Sequence, residues 1–279
     1  MSSLQTRARE ALAARLREQL PPEALHPGGA HALRFADALV PTLDAGDVAW
    51  AHAQLALRAK GELRPARSGP VQAHGAWSST ALVCSAFAPW RTDPGALRVA
   101  GLGGFATIRL EERLHIPHGG GTPNLDVALD GPGLFAGVES KLTEHLAPSP
   151  ARAWRPAYRR PAMLAALDGG WADVFAALLE ERWAPCHLDA GQLVRHALSL
   201  RSRGAGAHLV LLFWEPAGGA GHPEVEAHRH ELDELRARLG DDAVPRFHAL
   251  SYADLLDAWE PDRPDHVAAL RARYEVSVG

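Results

Sequence analysis

Three short apolar runs joined by tight turns place the strongest constraint on how this chain can fold. The first run, FATIRLEERLHI at 105–116, alternates apolar and polar residues like a strand with one buried face. NLDVALD at 124–130 and LFAGVESKL at 134–142 follow, after the turn segments PHGGGTP and DGPG. Because glycine and proline favour tight turns, the pattern predicts three antiparallel strands in a meander.

Helices are predicted on both sides of this meander. WSSTALVCSAFAPW indicates a helix ending at Pro89, with Ser78 or Ser79 as its N-cap. Downstream, helices are predicted near 161–181 and 188–201, and AHLVLLFWEP at 207–216 is typical of a strand buried on both faces. A charged helix over about 223–239 and a last short strand and helix within 245–259 complete the pattern.

The order of these elements, αβββαβ, predicts an α/β protein. Its single sheet is expected to be mixed, with both antiparallel and parallel strands, as in α+β folds. Residues 3–20 are predicted to form an amphipathic helix, 29–63 a second helical region broken at Pro41, and 64–70 a loop or linker. No repeat or clear domain boundary interrupts the chain. We therefore expect one domain over 1–279, with a helical N-terminal extension at 1–70 and a core at 76–260.

Composition narrows the classes of function. The formal net charge is −4, so the chain is not a bulk polyanion binder, and any contact with nucleic acid must come from a local patch. Cys84 and Cys186 show no paired spacing, which favours free buried thiols in a reducing compartment. The N-terminus lacks an apolar signal core, and no segment approaches about 18 uninterrupted apolar residues. We therefore expect a cytoplasmic protein without a membrane span.

Two carboxylates and a lysine are predicted to converge on the second and third strands. Glu139 and Lys141 are two apart in one strand, so their side chains share a face. The short turn DGPG brings the strand of Asp126 beside them. Lys141 is one of only 2 lysines among 29 basic residues. Mg²⁺ prefers oxygen ligands from one or two carboxylates, and a nearby lysine can orient a water or offset charge on a phosphate.

The segment NLDVALDGPGLFAGVESKL resembles the D-x(n)-E-x-K motif of the PD-(D/E)XK nuclease superfamily, and the order of elements over about 78–214 matches its restriction-endonuclease-like fold. The resemblance implies Asp126 and Glu139 as ligands of Mg²⁺, or of Mn²⁺ in its place, and Lys141 as the catalytic lysine. It further implies phosphodiester hydrolysis in nucleic acid, with DNA as the expected substrate, and it is compatible with a homodimer. One departure is that Leu125, rather than proline, precedes Asp126.

Many members of the superfamily add an acidic residue from an earlier element and a polar residue from the following helix. The segment LEERL offers Glu111 or Glu112 for the first role. We prefer Glu112, because it falls on the apolar stripe, where a carboxylate is costly unless it is paired or metal-bound. In LDAGQLVRHALSL, Gln192 opens the helix that follows the meander and matches the second role.

Basic residues near these positions are candidates for contact with nucleic acid. Arg195, His196 and Arg201 follow Gln192 on adjacent turns of its helix and could meet phosphates. The segment ARAWRPAYRR interleaves aromatic and basic residues, a combination that can hold exposed bases and phosphates. Its members are Arg152, Trp154, Arg155, Tyr158, Arg159 and Arg160. The alternative is a loop whose aromatic side chains pack on the core while its arginines stay in solvent.

Other interpretations of these patterns remain open. Glu139 and Lys141 could form a surface ion pair on a hairpin, and Gln192 and either glutamate could be ordinary solvated residues. The protein could also be a non-catalytic nucleic-acid-binding or scaffold protein that kept the fold. A third alternative is an enzyme that uses these carboxylates for acid–base catalysis, such as a glycoside hydrolase. In such a reaction the adjacent Lys141 would have no evident role.

Four further motifs favour simple structural interpretations. GLGGF and HGGGTP lack the spacing of a phosphate-binding loop that leads into a helix, so turn glycines are expected. His228 and His230 are two apart on a predicted helix and face different directions, so with His222 they indicate a solvated face rather than a zinc site. Cys186, next to His187, has no companion pair that would indicate metal binding or catalysis.

Overall fold

The computed structural model describes residues 2–58, 63–64, 69–149 and 153–279, arranged around one five-stranded mixed sheet. The strands are β1 (Thr107–Arg113), β2 (Asn124–Gly131), β3 (Leu134–Lys141), β4 (Ala207–Phe213) and β5 (Arg246–Ser251), and they lie side by side in this order. β1, β2 and β3 form an antiparallel meander, whereas β4 and β5 run parallel to β3.

Ten α-helices lie around the sheet in the described part of the chain. Their bounds are α1 (Leu4–Gln19), α2 (Phe35–Ala38), α3 (Ala45–Arg58), α4 (Ser79–Phe87), α5 (Pro161–Leu164), α6 (Gly169–Leu179), α7 (Ala190–Leu200), α8 (Pro223–Leu239), α9 (Tyr252–Trp259) and α10 (Pro264–Tyr274).

Two apolar layers cover the two faces of the sheet. In one layer, side chains such as Val127 and Val138 share a buried cluster with residues of α1, α4, α9 and α10. In the other, Phe135 and Leu209 share a cluster with residues of α6, α7 and α8. All seven residues of β4 are buried, because this strand has helices packed on both of its faces. The meander is thereby held between two helical layers.

The predicted order αβββαβ is confirmed by α4, β1, β2, β3, α7 and β4. The Ser78 side chain accepts a hydrogen bond from the Ala81 amide and caps α4, as predicted. The charged helix predicted at about 223–239 is α8. Helix α10 has no counterpart in the sequence prediction, and Cys186 is exposed rather than buried, although both cysteines are free thiols as expected.

The N-terminal region is less helical than the prediction over 29–63. Only α2 and α3 form there, separated around Pro41 as expected, and residues 29–34 are not helical. Residues 59–62, and 65–68 of the predicted linker, lie outside the described residues. The division into an extension at 1–70 and a core at 76–260 stays a prediction. Across the described ranges, no helix has the length and apolar character needed to cross a membrane.

Candidate active site

Three acidic residues, Glu111, Asp126 and Glu139, lie on the neighbouring strands β1, β2 and β3. At these positions the strand pairing of the meander ends or is interrupted. The ladder between β2 and β3 stops at the Val127–Val138 pair, one position before Asp126 and Glu139. Asp126 and Glu111 fall between two registered pairs of β1 and β2. Burial raises the pKa of Asp126, and the carboxylates of Glu139 and Glu111 raise it further, so the three groups interact electrostatically. The strands therefore bring Asp126 and Glu139 together as predicted.

Glu139, Lys141 and Gln192 form a connected polar group. Lys141 Nζ donates to Glu139 Oε1 at 2.6 Å and to Gln192 Oε1 at 2.8 Å. Gln192 is positioned by the start of α7, where its backbone amide donates to the N-cap side chain of Asp189. The Glu139 side chain is only 4% exposed and that of Lys141 is 20% exposed, which contradicts the alternative of a surface ion pair. Helix α7 thus places the predicted polar residue, Gln192, against Lys141.

His196 contacts the other oxygen of Glu139. Its Nε2 lies 2.9 Å from Glu139 Oε2, and the ring is fully buried. The two groups meet at this distance without a well-aligned hydrogen bond. A buried ring cannot reach a phosphate, so the predicted phosphate contact of His196 is wrong. Its spacing of four from Gln192, which places both on one side of α7, is the sequence signal that could have indicated this role.

Asp126 is held by the backbone of β3. Its Oδ2 accepts a hydrogen bond of 2.6 Å from the Ser140 amide. Burial, followed by the carboxylates of Glu139 and Glu111, raises the pKa of Asp126 well above its usual value. This carboxyl therefore lies in a surplus of negative charge that Lys141 only partly offsets.

Glu139 and Lys141 each favour the charged form of the other. Burial alone would raise the pKa of Glu139, but Lys141 and His196 outweigh it and lower the value to about 2. For Lys141, burial opposes the charge, yet the carboxylates of Glu139, Glu144 and Asp126 raise its pKa above the usual value. Lys141 is consequently an ammonium at neutral pH, so its charge and its N–H donors are what it can offer to a reaction.

The structure corrects the preference for Glu112 over Glu111. Glu111 is buried and acts on the pKa of Asp126, whereas Glu112 is partly exposed and lies 3.4 Å from the guanidinium of Arg109. The reason is a left-handed backbone at Glu111, with φ of 52°, which interrupts the alternation along β1. The apolar stripe changes side there, because Leu110 packs in one layer and Leu114 in the other.

The predicted basic residues divide into two groups. Arg155, Arg159 and Arg160 are exposed, while Tyr158 is buried and its ring lies beside Phe175. The segment therefore matches the alternative hypothesis for Tyr158 and these three arginines, in which aromatic side chains pack on the core and arginines stay in solvent. Arg152 lies outside the described residues.

Arg195 differs from these three because it lies against the site. Its guanidinium lies 5.6 Å from the ring centre of Trp154 and 3.7 Å from Asp189, the cap of α7. Arg201, at the other end of α7, pairs with Asp168 instead. Of the predicted arginines that the structure describes, Arg195 alone lines the same cleft as Lys141 and Gln192.

The cleft beside Lys141 also contains histidines. His145 and His228 are buried with ring centres 4.4 Å apart, and both rings line the cleft. The solvated face predicted for α8 is therefore wrong for His228, although His230 is 75% exposed. Burial lowers the pKa of His228 to about 3, so its ring is neutral.

The carboxylates suit a hard divalent cation. Asp126 and Glu139 offer oxygen atoms, the donors that Mg²⁺ prefers when one or two carboxylates combine with waters and phosphate oxygens. A cation would also offset the burial and the repulsion between carboxylates that together raise the pKa of Asp126. Among the described residues, no three His, Cys, Asp or Glu side chains are spaced to hold a metal ion by themselves. A cation here would therefore depend on water and substrate for its remaining ligands.

Comparison with models of known protein families identifies the family of this chain. A family model described as REase-ARP, Restriction Endonuclease associating with ARP, matches residues 53–275. That range includes all five strands and the residues Glu111, Asp126, Glu139, Lys141 and Gln192. The comparisons with curated proteins and with solved structures found no match.

Proposed function

Because the chain belongs to the REase-ARP family of restriction endonucleases, we propose that it hydrolyses phosphodiester bonds in DNA with Mg²⁺ as its cofactor. Family membership implies a hydrolytic nuclease with a restriction-endonuclease-like fold, in line with the αβββαβ order. The DNA substrate, the metal requirement and the roles of individual residues are the proposal. A cytoplasmic location is proposed on the same footing, from the sequence.

One observation carries the proposal: the buried pair of Glu139 and Lys141 lies beside Asp126 and is completed by Gln192 from α7. A buried ion pair is a weak source of stability, because desolvation of two charges cancels most of their attraction. An arrangement that also crowds carboxylates is therefore better explained by function than by folding.

In the proposed reaction, Asp126 and Glu139 would hold Mg²⁺ through their carboxylate oxygens. When bound, Mg²⁺ would lower the pKa of an attacking water and offset charge on the scissile phosphate. Glu139 suits this task because Lys141 and His196 keep it ionised. Glu111, rather than Glu112, is the additional carboxylate whose charge reaches Asp126.

Lys141 would act on the substrate as a fixed cation. An ammonium has three N–H donors, and among the described contacts two of them are used by Glu139 and Gln192. The third is available to orient the water or to stabilise charge on a phosphate oxygen in the transition state. Gln192 would position the ammonium, since its amide oxygen holds Nζ from the side of α7.

DNA would reach this centre along a basic surface despite the overall charge of −4. Arg195 lies in the cleft, and the exposed arginines Arg155, Arg159 and Arg160 belong to the segment that leads into it. Phosphate contacts of this kind position a duplex without reading its sequence. The family description adds a partner designated ARP, and we propose that this chain also acts together with such a protein.

The test is cleavage of plasmid and single-stranded DNA with Mg²⁺, with Mn²⁺ and with EDTA. The variants Glu139→Ala and Lys141→Ala should lose metal-dependent cleavage. The matched control is Glu180→Ala, which removes an exposed ion pair of the same 2.6 Å length. DNA binding by Lys141→Ala, measured by gel shift, should stay close to that of the wild type.

Two results would contradict the proposal. Cleavage that survives both substitutions would show that the reaction occurs elsewhere. Binding without any cleavage, across plasmid and genomic DNA and with ARP present, would favour the non-catalytic nucleic-acid-binding alternative.

A further inference from the structure

Ser140, the residue between Glu139 and Lys141, is tied to a tyrosine on the opposite face of the sheet. Alternate residues of a strand point to opposite faces, so Ser140 faces away from its two neighbours. Its Oγ and the Tyr252 hydroxyl share a hydrogen bond of 2.8 Å. Both residues are buried, with exposures of 2% and 3%. A hydrogen bond between buried hydroxyl groups is costly to break without replacement.

The same residue holds Asp126 through its backbone. The ladder between β2 and β3 ends at the Val127–Val138 pair, so the Ser140 amide lies beyond the last registered pair of the two strands. That amide donates instead to Asp126 Oδ2 at 2.6 Å. Any shift of the Ser140 backbone would therefore move the donor that fixes the Asp126 carboxylate.

Tyr252 is itself rigidly placed. It is the first residue of α9, directly after Ser251 at the end of β5. Ser251 and Asp254 form a capping box, in which each side chain bonds to the backbone of the other. The first turn of a capped helix is well ordered, so the phenol reaches β3 from a fixed base.

From this geometry we propose that Tyr252 is a positioning residue of the active site, which holds Ser140 so that its amide orients Asp126 toward the cation. The inference rests on the proposed function, because it assigns Asp126 a role in binding metal. Partners one step removed from a metal ligand, as Ser140 is from Asp126, commonly change affinity by about 10–100-fold when they are mutated, and Tyr252 acts one step further out through Ser140, which places its effect at the lower end of that range.

The test compares Tyr252→Phe with Tyr274→Phe in the full-length protein. Tyr274 is 4% exposed and packs in the same apolar layer, so the control also removes one buried hydroxyl. Two readouts are measured: the affinity for Mn²⁺ without DNA, by calorimetry, and amide hydrogen exchange in the segment around Ser140, by mass spectrometry. Thermal unfolding of both variants reports any general loss of stability.

Tyr252→Phe should weaken Mn²⁺ binding by roughly tenfold and speed exchange at Ser140, while Tyr274→Phe changes neither. Ser140→Ala should weaken binding to a similar degree, and the double variant should add little, because both changes break one connection. Equal Mn²⁺ affinity in Tyr252→Phe and the wild type would overturn the inference, as would equal losses in the two tyrosine variants. A wild type that binds no Mn²⁺ and cleaves no DNA would instead overturn the proposed function along with it.

Discussion

Replacing Lys141 with methionine should strongly destabilise the protein, because Glu139 is left buried without its main partner and must either stay charged in an apolar site or take up a proton on folding. Methionine keeps most of the aliphatic length of lysine, so the change removes the charge with little loss of packing. The Glu139 side chain is 4% exposed, which leaves little solvent to replace the missing ammonium.

The size of the effect follows from the pKa of Glu139. Its lowering from 4.5 to about 2 corresponds to about 3 kcal/mol of stability at neutral pH. Lys141 is the leading favourable contributor to this lowering, ahead of His196. We therefore expect the free energy of unfolding to fall by about 3 kcal/mol, within the range for breaking one half of a buried ion pair.

Urea denaturation of the wild type, Lys141→Met and Arg182→Met would measure the effect. Arg182 pairs with Glu180 at the same 2.6 Å, but those side chains are 58% and 60% exposed. An exposed pair contributes at most about 1 kcal/mol, so the control should be nearly neutral. The slope against urea must stay constant for the comparison to report stability.

Acid should remove the difference between the wild type and Lys141→Met. A carboxylate with a lowered pKa stabilises the folded state above its unfolded pKa, and this stability is lost as the pH falls through the folded value. For Glu139 that window runs from 4.5 down to about 2. A loss no larger than that of Arg182→Met, or a difference that does not change across this window, would refute the argument that Glu139 is held ionised by Lys141.

Three further predictions concern the site and its surroundings. Glu111→Gln should change Mn²⁺ affinity at least several-fold in calorimetry, because Glu111 acts on Asp126, while Glu112→Gln should match the wild type; the reverse order would contradict the placement of Glu111. Gln192→Ala should lower the cleavage rate by roughly tenfold or more with little change in DNA affinity, whereas an unchanged rate would show that Lys141 needs no support from α7. Removing three exposed arginines should reduce the salt dependence of DNA binding, with a log–log slope smaller by up to about 3, and an unchanged slope would place the phosphates elsewhere. The three are Arg155, Arg159 and Arg160.

The parts of the fold that are predictable from the sequence are those with a strong local pattern. The meander follows from short apolar runs separated by turn residues, and β4 from a continuous apolar run. Helix α10 has no counterpart in the prediction, although its buried residues Val267, Leu270 and Tyr274 have helical spacing and follow Pro264 at the helix start. The packing of that helix, including the ring of Tyr274, depends on distant segments that no local pattern reports.

The same distinction holds in the candidate site. The spacing of Glu139 and Lys141 and the turn before them are sufficient to bring them near Asp126. Glu111, rather than the predicted Glu112, lies near Asp126 because the backbone of Glu111 is left-handed. This conformation is rare for glutamate and carries no sequence signature.

Longer-range contacts in the site are equally hidden from the sequence. The contact of Ser140 with Tyr252 joins residues far apart in the chain, and neither residue has a spacing that indicates it. Such contacts are set by how helices pack on the sheet, which residue spacing alone does not determine.

The central claim is that Asp126 and Glu139 hold the divalent cation with which this protein cleaves DNA. Its most direct test is a crystal structure with Mn²⁺ and a DNA duplex, in which anomalous scattering locates the ion. We expect a peak at bonding distance from oxygens of both Asp126 and Glu139, with Lys141 Nζ beside the phosphate. A peak elsewhere, for example at His145 and His228, with none at these carboxylates, would contradict it.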